Sequence, residues 1–412
     1  MSWDILGVCG ATPYMLRGAP VPECRAPARQ KVGADADGNS FRITTRRQSA
    51  MAGSTRPAST GPTDTTGPAM SAGASEAVHS ADGDDRLRVG ISSCLMGNKV
   101  RFDGGHKHDP YITGTLGQYM DFVPVCPEVE CGMPIPREAL RLVGDPANPR
   151  LVTVKGYEDW TERMRAFALR RVEQLAAERL DGFIFKRASP SSGMERVKVY
   201  ADHDPRDVPE GAGRVNLGPP QEKGVGIFAR VFMDRFPLLP TEEEGRLNDP
   251  RLRENFIERL FVMRRWRALA EAGMSRGGLV DFHTRHKLLL MSHSVEHYRA
   301  LGRLVAHAAS HEQASLARDY LTGLMDGLRL PATTAKHANV LQHCMGYFKR
   351  VLTPDEKMEM LEVIQRYRKL QVPLVVPVTL LNHYVRKYGE AYLAGQFYLN
   401  PHPVELKLRN HA

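Results

Sequence analysis

Phe183-Ile184-Phe185-Lys186-Arg187-Ala188-Ser189-Pro190-Ser191-Ser192-Gly193 is the stretch whose reading decides the fold. A short apolar run enters a Ser/Pro/Gly turn, and Met194-Glu195-Arg196-Val197-Lys198-Val199-Tyr200 leaves it with alternating apolar and basic residues, so the segment predicts strand, turn, strand. Two earlier apolar runs end in the same manner, Leu87-Arg88-Val89-Gly90-Ile91-Ser92-Ser93-Cys94 and Phe122-Val123-Pro124-Val125-Cys126. Between them and Phe183 lie a hairpin-like piece around Leu151-Val152-Thr153-Val154 and an amphipathic helix. The helix carries Trp160, Met164, Phe167, Val172 and Leu175 near 3.6 spacing and is expected to stop at Gly182. Short apolar strands alternating with a helix argue for an α/β layer with a parallel sheet, whose ligand crevice lies beyond the carboxyl ends of the strands. Cys94, Cys126 and Ser192 all fall at such ends.

The wider chain divides by composition. Residues 1–85 are rich in Gly, Ala, Ser, Thr and Pro, with Trp3, Tyr14 and Phe41 as their aromatics, and read as a disordered leader. Cys9 and Cys24 lie within it, and the internal Met51 and Met70 leave open a natural start further on. Residues 86–240 are expected to form a Rossmann-like α/β domain, with 224–235 its last strand and exit and Pro237 to Pro240 its end. Residues 241–276 read as a linking helix that starts at Asp249 as N-cap with Pro250 first in the helix. Residues 277–405 predict an all-α domain of roughly five helices. In it Thr353-Pro354-Asp355-Glu356 forms a capping box and Pro373 and Pro377 break the following segment; 406–412 is a tail.

The bulk numbers exclude several classes. A chain of 412 residues with 42% hydrophobic content can fill more than one core. Six cysteines scattered over that length do not make a disulfide framework and point to a reducing compartment. No run of about 18 apolar residues exists, so no membrane span is expected, and the reading is a cytoplasmic protein. The net charge is +9, and residues 281–412 hold 17 Lys/Arg against 11 Asp/Glu, so most of the surplus sits in the last third. A basic surface there suits a polyanion such as RNA, or is simply solubilising.

Thiols at the ends of adjacent strands can ligate an iron–sulfur cluster or zinc, or serve as small apolar core residues. Glu128, two residues after Cys126 in a Pro-bounded turn, is placed for general acid or base work, or is an exposed turn carboxylate. Ser191 at the third strand end offers a hydroxyl for proton transfer, although Ser-Pro-Ser-Ser-Gly is also ordinary turn chemistry. His293 and His297, four residues apart, lack an acidic or thiolate partner and read as structural, and Cys344 as a core thiol.

Three segments together carry a resemblance: Ile91-Ser92-Ser93-Cys94-Leu95-Met96-Gly97 with Val100-Arg101-Phe102-Asp103-Gly104, Pro124-Val125-Cys126-Pro127-Glu128-Val129-Glu130, and Ser189-Pro190-Ser191-Ser192-Gly193-Met194-Glu195-Arg196-Val197. They resemble the TudS family of thiouracil desulfidases. Asp281-Phe282-His283-Thr284-Arg285-His286-Lys287, Gly346-Tyr347-Phe348-Lys349-Arg350 and Gln396-Phe397-Tyr398-Leu399-Asn400-Pro401-His402-Pro403 are similar to the YbgA domain. The combination resembles the RudS proteins, which implies a tRNA 4-thiouridine desulfidase. The resemblance further implies a 4Fe-4S cluster on three cysteines with one iron open, a catalytic glutamate at Glu128 and a serine at Ser191. The ligands carry over to Cys94 and Cys126, while the third ligand position holds Ser192, whose oxygen is harder and far more basic than a thiolate. Cys131, five residues after Cys126, is a candidate substitute. The alternatives are an RNA-binding protein with a decayed or engineered cluster site, and a desulfidase of free thiouracil.

For the helical part the expected partner is tRNA, and no protein partner is inferable. Lys287, Lys349, Arg350, Arg386 and Lys387 are the candidate RNA contacts, with Arg366, Arg368 and Lys369 nearby. Tyr347, Phe348, Tyr367 and Tyr384 interleave with them as rings for unstacked bases. The bland alternative is a solvated helix face with its aromatics in the core.

Overall fold

The computed structural model describes residues 86–207 and 218–411. The expectations for 1–85, including Cys9, Cys24 and the leader, lie outside the described residues.

Strand β1 (Leu87–Ser92) passes through a single helical turn carrying Cys94 into the loop that holds Arg101 and Phe102. β2 (Met120–Val125) follows, and Cys126 caps the short helix α1 (Pro127–Glu130). The hairpin expected near Leu151 is β3 (Leu140–Val143) paired antiparallel with β4 (Arg150–Thr153). The amphipathic helix is α2 (Thr161–Ala177), which ends five residues short of Gly182, with Arg179 taking a positive φ of 56°. Gly182 instead opens β5 (Gly182–Phe185). A Cβ at Gly182 would meet the Pro240 carbonyl oxygen at 2.7 Å and collide with Leu260, so the residue permits close packing rather than stopping a helix.

β6 (Val197–Tyr200) and β7 (Gln221–Gly224) belong with β3 and β4 in a second sheet of order β4-β3-β6-β7. Residues 224–235, expected as a last strand, form helix α3 (Ile227–Arg235) after the N-cap Gly226. The apolar run there buries Phe228 and Phe232 on one helical face, and periodicity over so short a run does not separate helix from strand. The first sheet is completed beyond Pro240 by β8 (Thr241–Glu243), giving the order β2-β1-β5-β8 with every pairing parallel. The parallel α/β layer is therefore as expected, but its domain runs past Pro240.

Alternation along β5 divides the core. Phe183 and Phe185 pack with Phe167, Phe228 and Phe232 beneath α2 and α3, while Ile184 faces the other way. On that second face lies α4 (Pro250–Glu271), capped by the Asp249 carboxylate, which accepts from the amides of Arg251 and Leu252. α4 places Phe256, Ile257 and Leu260 against Val89, Ile91 and Ile184 of the sheet. One to two turns later, its Val262, Met263 and Trp266 enter the core of the helical part.

That part holds α5 (Arg276–His293), α6 (Val295–Ala306), α7 (Gln313–Arg329), α8 (Thr334–Met345), α9 (Pro354–Arg368), α10 (Val375–Tyr388) and the single turn α11 (Ala391–Ala394). Six full helices are thus described where roughly five were expected. The capping box at Thr353 and Glu356 is present. Pro377 does not break a segment: it is the third residue of α10, where a missing N–H costs no intrahelical bond. The tail also departs from expectation. Leu406 and Leu408 join the core beneath the sheet, and Arg409 is buried against α4.

Candidate functional site

Three parallel strand ends converge on one cavity of about 310 Å³. Its lining includes Cys94 after β1, Cys126 and Glu128 after β2, and Ser189 and Ser192 after β5. β1 is the central partner of both β2 and β5, so the in-register pairs Ile91↔Pro124 and Ile91↔Ile184 bring the three turns side by side. The turn ends are also tied directly, because the amide of Lys186 donates to Ser92 Oγ at 2.9 Å.

The Ser189–Gly193 turn is held from beneath by α3. The amides of Gly226 and Phe228 donate to the carbonyls of Gly193 and Ser191 at 2.8 and 2.9 Å, and the amide of Ala229 to that of Ser191 at 3.1 Å. These are N–H groups at a helix start that have no partner within the helix. A Cβ on Gly226 would meet the Gly193 amide nitrogen at 2.8 Å, so only glycine allows this approach. β8 holds the turn from the other side, with Glu243 Oε1 accepting from the Met194 amide at 2.7 Å.

Glu128 lies at the centre of the polar contacts. Ser191 Oγ donates to its Oε1, and Ser189 Oγ lies 3.0 Å from Ser191 Oγ and 3.5 Å from Glu128 Oε1. On the other oxygen, Cys126 Sγ is 3.5 Å from Oε2 and Arg137 Nη2 is 4.0 Å away. Lys186, ion-paired with Glu244, and Arg101 add positive charge to the lining. Burial, reinforced by the Glu128 charge, pushes the Cys94 thiol up to about 11 and the Cys126 thiol up to about 12. Without a metal both are neutral thiols at physiological pH.

Of the residues singled out in the sequence, Cys94, Cys126, Glu128 and Ser192 line the cavity. Ser191 does not: it is fully buried behind Glu128, and Ser192 Oγ is 3.5 Å from its hydroxyl. Cys131, at the far end of α1, is outside the lining as well; its thiol donates to the Glu128 carbonyl at 3.2 Å and packs on the core beneath α2. Ser189, Arg137 and Lys186 were missed. Ser189 could have been found as the first hydroxyl of the same turn, whereas Arg137 reaches the site only through tertiary folding.

The helical candidates scatter. Lys349, Arg350 and Arg386 are exposed and, among the described residues, without an ion pair, Lys387 is 2.6 Å from Glu356, and Lys287 lies over the Tyr392 ring at 4.9 Å. The aromatic half of the expected RNA face is not present as expected. Phe348, Tyr367 and Tyr384 are core residues, and only Tyr347 is exposed, stacked on Tyr392 at 4.8 Å. The two long motifs of this part instead meet each other. Phe397 donates its amide to the Arg285 carbonyl at 3.0 Å, and Gln396 Nε2 donates to the Thr284 carbonyl at 2.7 Å. His293 closes α5 and His297 lies in α6, so the pair does not share a helix; His293 Nε2 contacts Glu258 at 3.2 Å and His297 Nδ1 contacts Ser294 at 2.8 Å.

One further set could hold a cation by distance alone, Glu254, Glu258 and His402, whose ligand atoms lie within 4.8 Å of one another. Arg409 already occupies it, with Nε 3.0 Å from Glu254 and Nη2 2.8 Å from Glu258, leaving little negative charge for a metal.

Fold and site together define a parallel α/β protein with a cysteine-lined cavity at its strand ends, continued by a helical domain. Residues 89–244 match the family model described as 2-thiouracil desulfurase, and residues 287–403 match the protein of unknown function DUF1722. The chain is 33% identical over 167 residues to the uncharacterized protein YbgA of Escherichia coli (strain K12), covering 40% of this chain and 98% of that one, and it belongs to the YbgA family. Among solved structures it is similar to a 4Fe-4S-dependent thiouracil desulfidase, TudS, with 23% identity and a TM-score of 0.29 over 40% of this chain and 95% of that one. No helix of the described residues is long and apolar enough to cross a membrane.

Proposed function

We propose that the chain is a desulfidase that replaces the sulfur of a thiolated uracil by oxygen, with 4-thiouridine in tRNA as its substrate. The observation that supports this most is the cavity in which two thiols, a carboxylate and hydroxyls converge from three strand ends, within the region matching the 2-thiouracil desulfurase model. The overall conversion is hydrolytic: water adds to the thiocarbonyl carbon, the carbon–sulfur bond breaks, and the products are uracil oxygen and hydrogen sulfide, with no net oxidation or reduction.

The donor set fits an iron–sulfur cluster in part. Cys94 and Cys126 would be its thiolate ligands, and Ser192 would stand at the third corner with a hydroxyl. A bound 4Fe-4S cluster with an open iron would supply Lewis acidity and a soft acceptor for sulfide.

The residues of the chain do the rest. Glu128 Oε2 faces the cavity beside Cys126 and takes a proton from the attacking water. Ser191 donates to Oε1, which fixes the carboxylate with Oε2 towards the Cys126 thiol at 3.5 Å and Arg137 at 4.0 Å. Ser189 lines the cavity with its Oγ 3.5 Å from Glu128 Oε1, so a proton can pass from carboxylate to substrate through this one hydroxyl. Arg137 and Lys186 are placed to hold substrate oxygens. The exposed Lys349, Arg350 and Arg386 would contact RNA phosphates, each charge neutralised releasing counterions.

The test is anaerobic reconstitution of the full chain with iron and sulfide, followed by incubation with tRNA containing 4-thiouridine and with free 4-thiouracil. Loss of the thionucleoside with stoichiometric sulfide is expected. Intact 4-thiouridine after reconstitution with measured iron uptake sinks the reading, and turnover of the free base alone removes tRNA from it.

A further inference from the structure

Ser192 lines the cavity described above; Met194, two residues on, lines another, of about 750 Å³. This second cavity lies where β8, α4, the end of α7 and the start of α8 come together. Its volume is in the range that holds nucleotide-sized ligands.

Its charges do not balance internally. Glu242 is taken by Arg246 at 2.5 Å, and Glu254 and Glu258 are taken by Arg409 at 3.0 and 2.8 Å. Arg259 remains. It is only 8% exposed, its Nε donates to Asn255 Oδ1 at 3.0 Å, and among the described residues no carboxylate pairs with it. Burial pulls this guanidinium down to about 10, with Glu242 opposing from a distance and Arg329 and Arg246 adding to the shift. Arg329, whose Nη2 donates to the Pro237 carbonyl at 2.9 Å and whose Nη1 is 3.9 Å from Asp326, and Arg246, paired with Glu242 and Glu195, line the same cavity. Taking a guanidinium largely out of water without a paired carboxylate is unfavourable, and an anion in the cavity would offset it.

The start of α8 supplies complementary donors. Thr333, Thr334 and Ala335, the first residues of the 12-residue helix α8, line the cavity. Among the described residues Thr333 Oγ1 caps the Lys336 amide alone, which leaves other first-turn N–H groups and the positive end of the helix dipole for a ligand. A planar guanidinium fork and a helix start lining one cavity are the groups that hold the tetrahedral oxygens of a phosphoryl group. Phe236, Leu239 and Leu374 give the remaining wall an apolar surface on which a base can rest.

We propose that this cavity is a phosphate-binding site, in which Arg259, Arg329 and the N-terminus of α8 hold the phosphoryl group of a nucleotide. The phosphate comes either from a free nucleotide or from the backbone of an RNA. The site does not depend on the desulfidase reading and shares no lining residue with the cysteine cavity.

Thermal unfolding of the full chain at constant ionic strength tests it. Inorganic phosphate is expected to raise the Tm in a saturable manner, and uridine 5′-monophosphate at lower concentration, while uridine and chloride have no effect. Arg259→Met removes the response. Arg329→Ala, at a position whose side chain is 56% exposed and therefore safe for the fold, weakens phosphate binding by about fivefold or more. An RNA oligomer without a terminal phosphate distinguishes the sources: stabilisation through Arg259 assigns the site to backbone phosphate, and stabilisation by the monophosphate alone assigns it to a free nucleotide. The proposal is overturned if no phosphate-bearing compound shifts the Tm, or if the shift is unchanged in both variants.

Discussion

Ser191 donates its hydroxyl hydrogen bond to Glu128 across 63 positions of sequence, joining the turn after β5 to the turn after β2. Because Ser191 is fully buried while Glu128 faces the cavity, the pair divides the work: the serine orients and the carboxylate reacts. Glu128→Gln is expected to lower single-turnover sulfide release by about 10²–10⁴-fold with iron content unchanged. Ser191→Ala is expected to cost less, on the order of tenfold, the scale of one lost orienting hydrogen bond. Equal losses for the two variants would make Ser191 a direct participant.

Ser192 presents oxygen where Cys94 and Cys126 present sulfur. A serine alkoxide forms at far higher pH than a thiolate, so iron uptake should be limited at this corner. Ser192→Cys is expected to raise iron bound per chain several-fold after anaerobic reconstitution, with a matching rise in sulfide release. Equal iron content in both chains would show that the hydroxyl is no handicap.

The cysteine thiols give a pH signature in the metal-free chain. Cys94 and Cys131 are pushed up to about 11 and Cys126 to about 12, by burial first and the Glu128 charge second. The folded chain therefore keeps these protons to higher pH than the unfolded chain. Their contribution to stability is complete below pH ~9 and is lost as pH rises from there through 11 and 12. Alkylation by iodoacetamide at pH 8 is expected to be about 100-fold slower at Cys94 than in the urea-unfolded chain, and slower still at Cys126. Mass spectrometry of the labelled cysteines reads this directly, and equal rates in both states would contradict the burial.

Arg409 is a buried counter-charge at the very end of the chain. It neutralises Glu254 and Glu258 and donates to the Tyr398 carbonyl at 2.6 Å. Arg409→Met leaves Glu254 and Glu258 adjacent in the core with only His411 and His293 beside them, and is expected to cost about 3–5 kcal/mol of stability in denaturant unfolding. The triple change Arg409→Met, Glu254→Gln, Glu258→Gln is expected to recover most of it, since no buried charge then remains. A single variant as stable as the parent would mean that the tail does not hold α4.

Much of the first sheet was legible because its strands are short, apolar and closed by turns. Asp249, Thr353 and the hairpin at Leu151 were legible for the same local reason. What misled was also local in appearance. The run at 224–235 is apolar enough for a strand, and only its packing of Phe228 and Phe232 under Phe183 shows it to be α3. β8 contains two glutamates, and nothing local says that Glu242 and Glu243 are buried to anchor a turn and pair an arginine. At the site, Cys94, Cys126 and Glu128 were visible as strand-end chemistry. The burial of Ser191 and the arrival of Arg137 were not, because both depend on contacts between segments far apart in sequence. The aromatics of the helical part show the same limit: interleaving of rings and cations along a chain does not tell which of them faces water.

α4 gives three side chains to the sheet and three to the helical core, although it lies between the two family matches rather than inside either. A segment between two family matches would ordinarily be a place to cut. Here it is a shared wall, and either half expressed without α4 would present an open apolar face to water. Swapping one half for that of a relative must therefore carry residues 250–271 along with it, and a single calorimetric transition is expected for the whole.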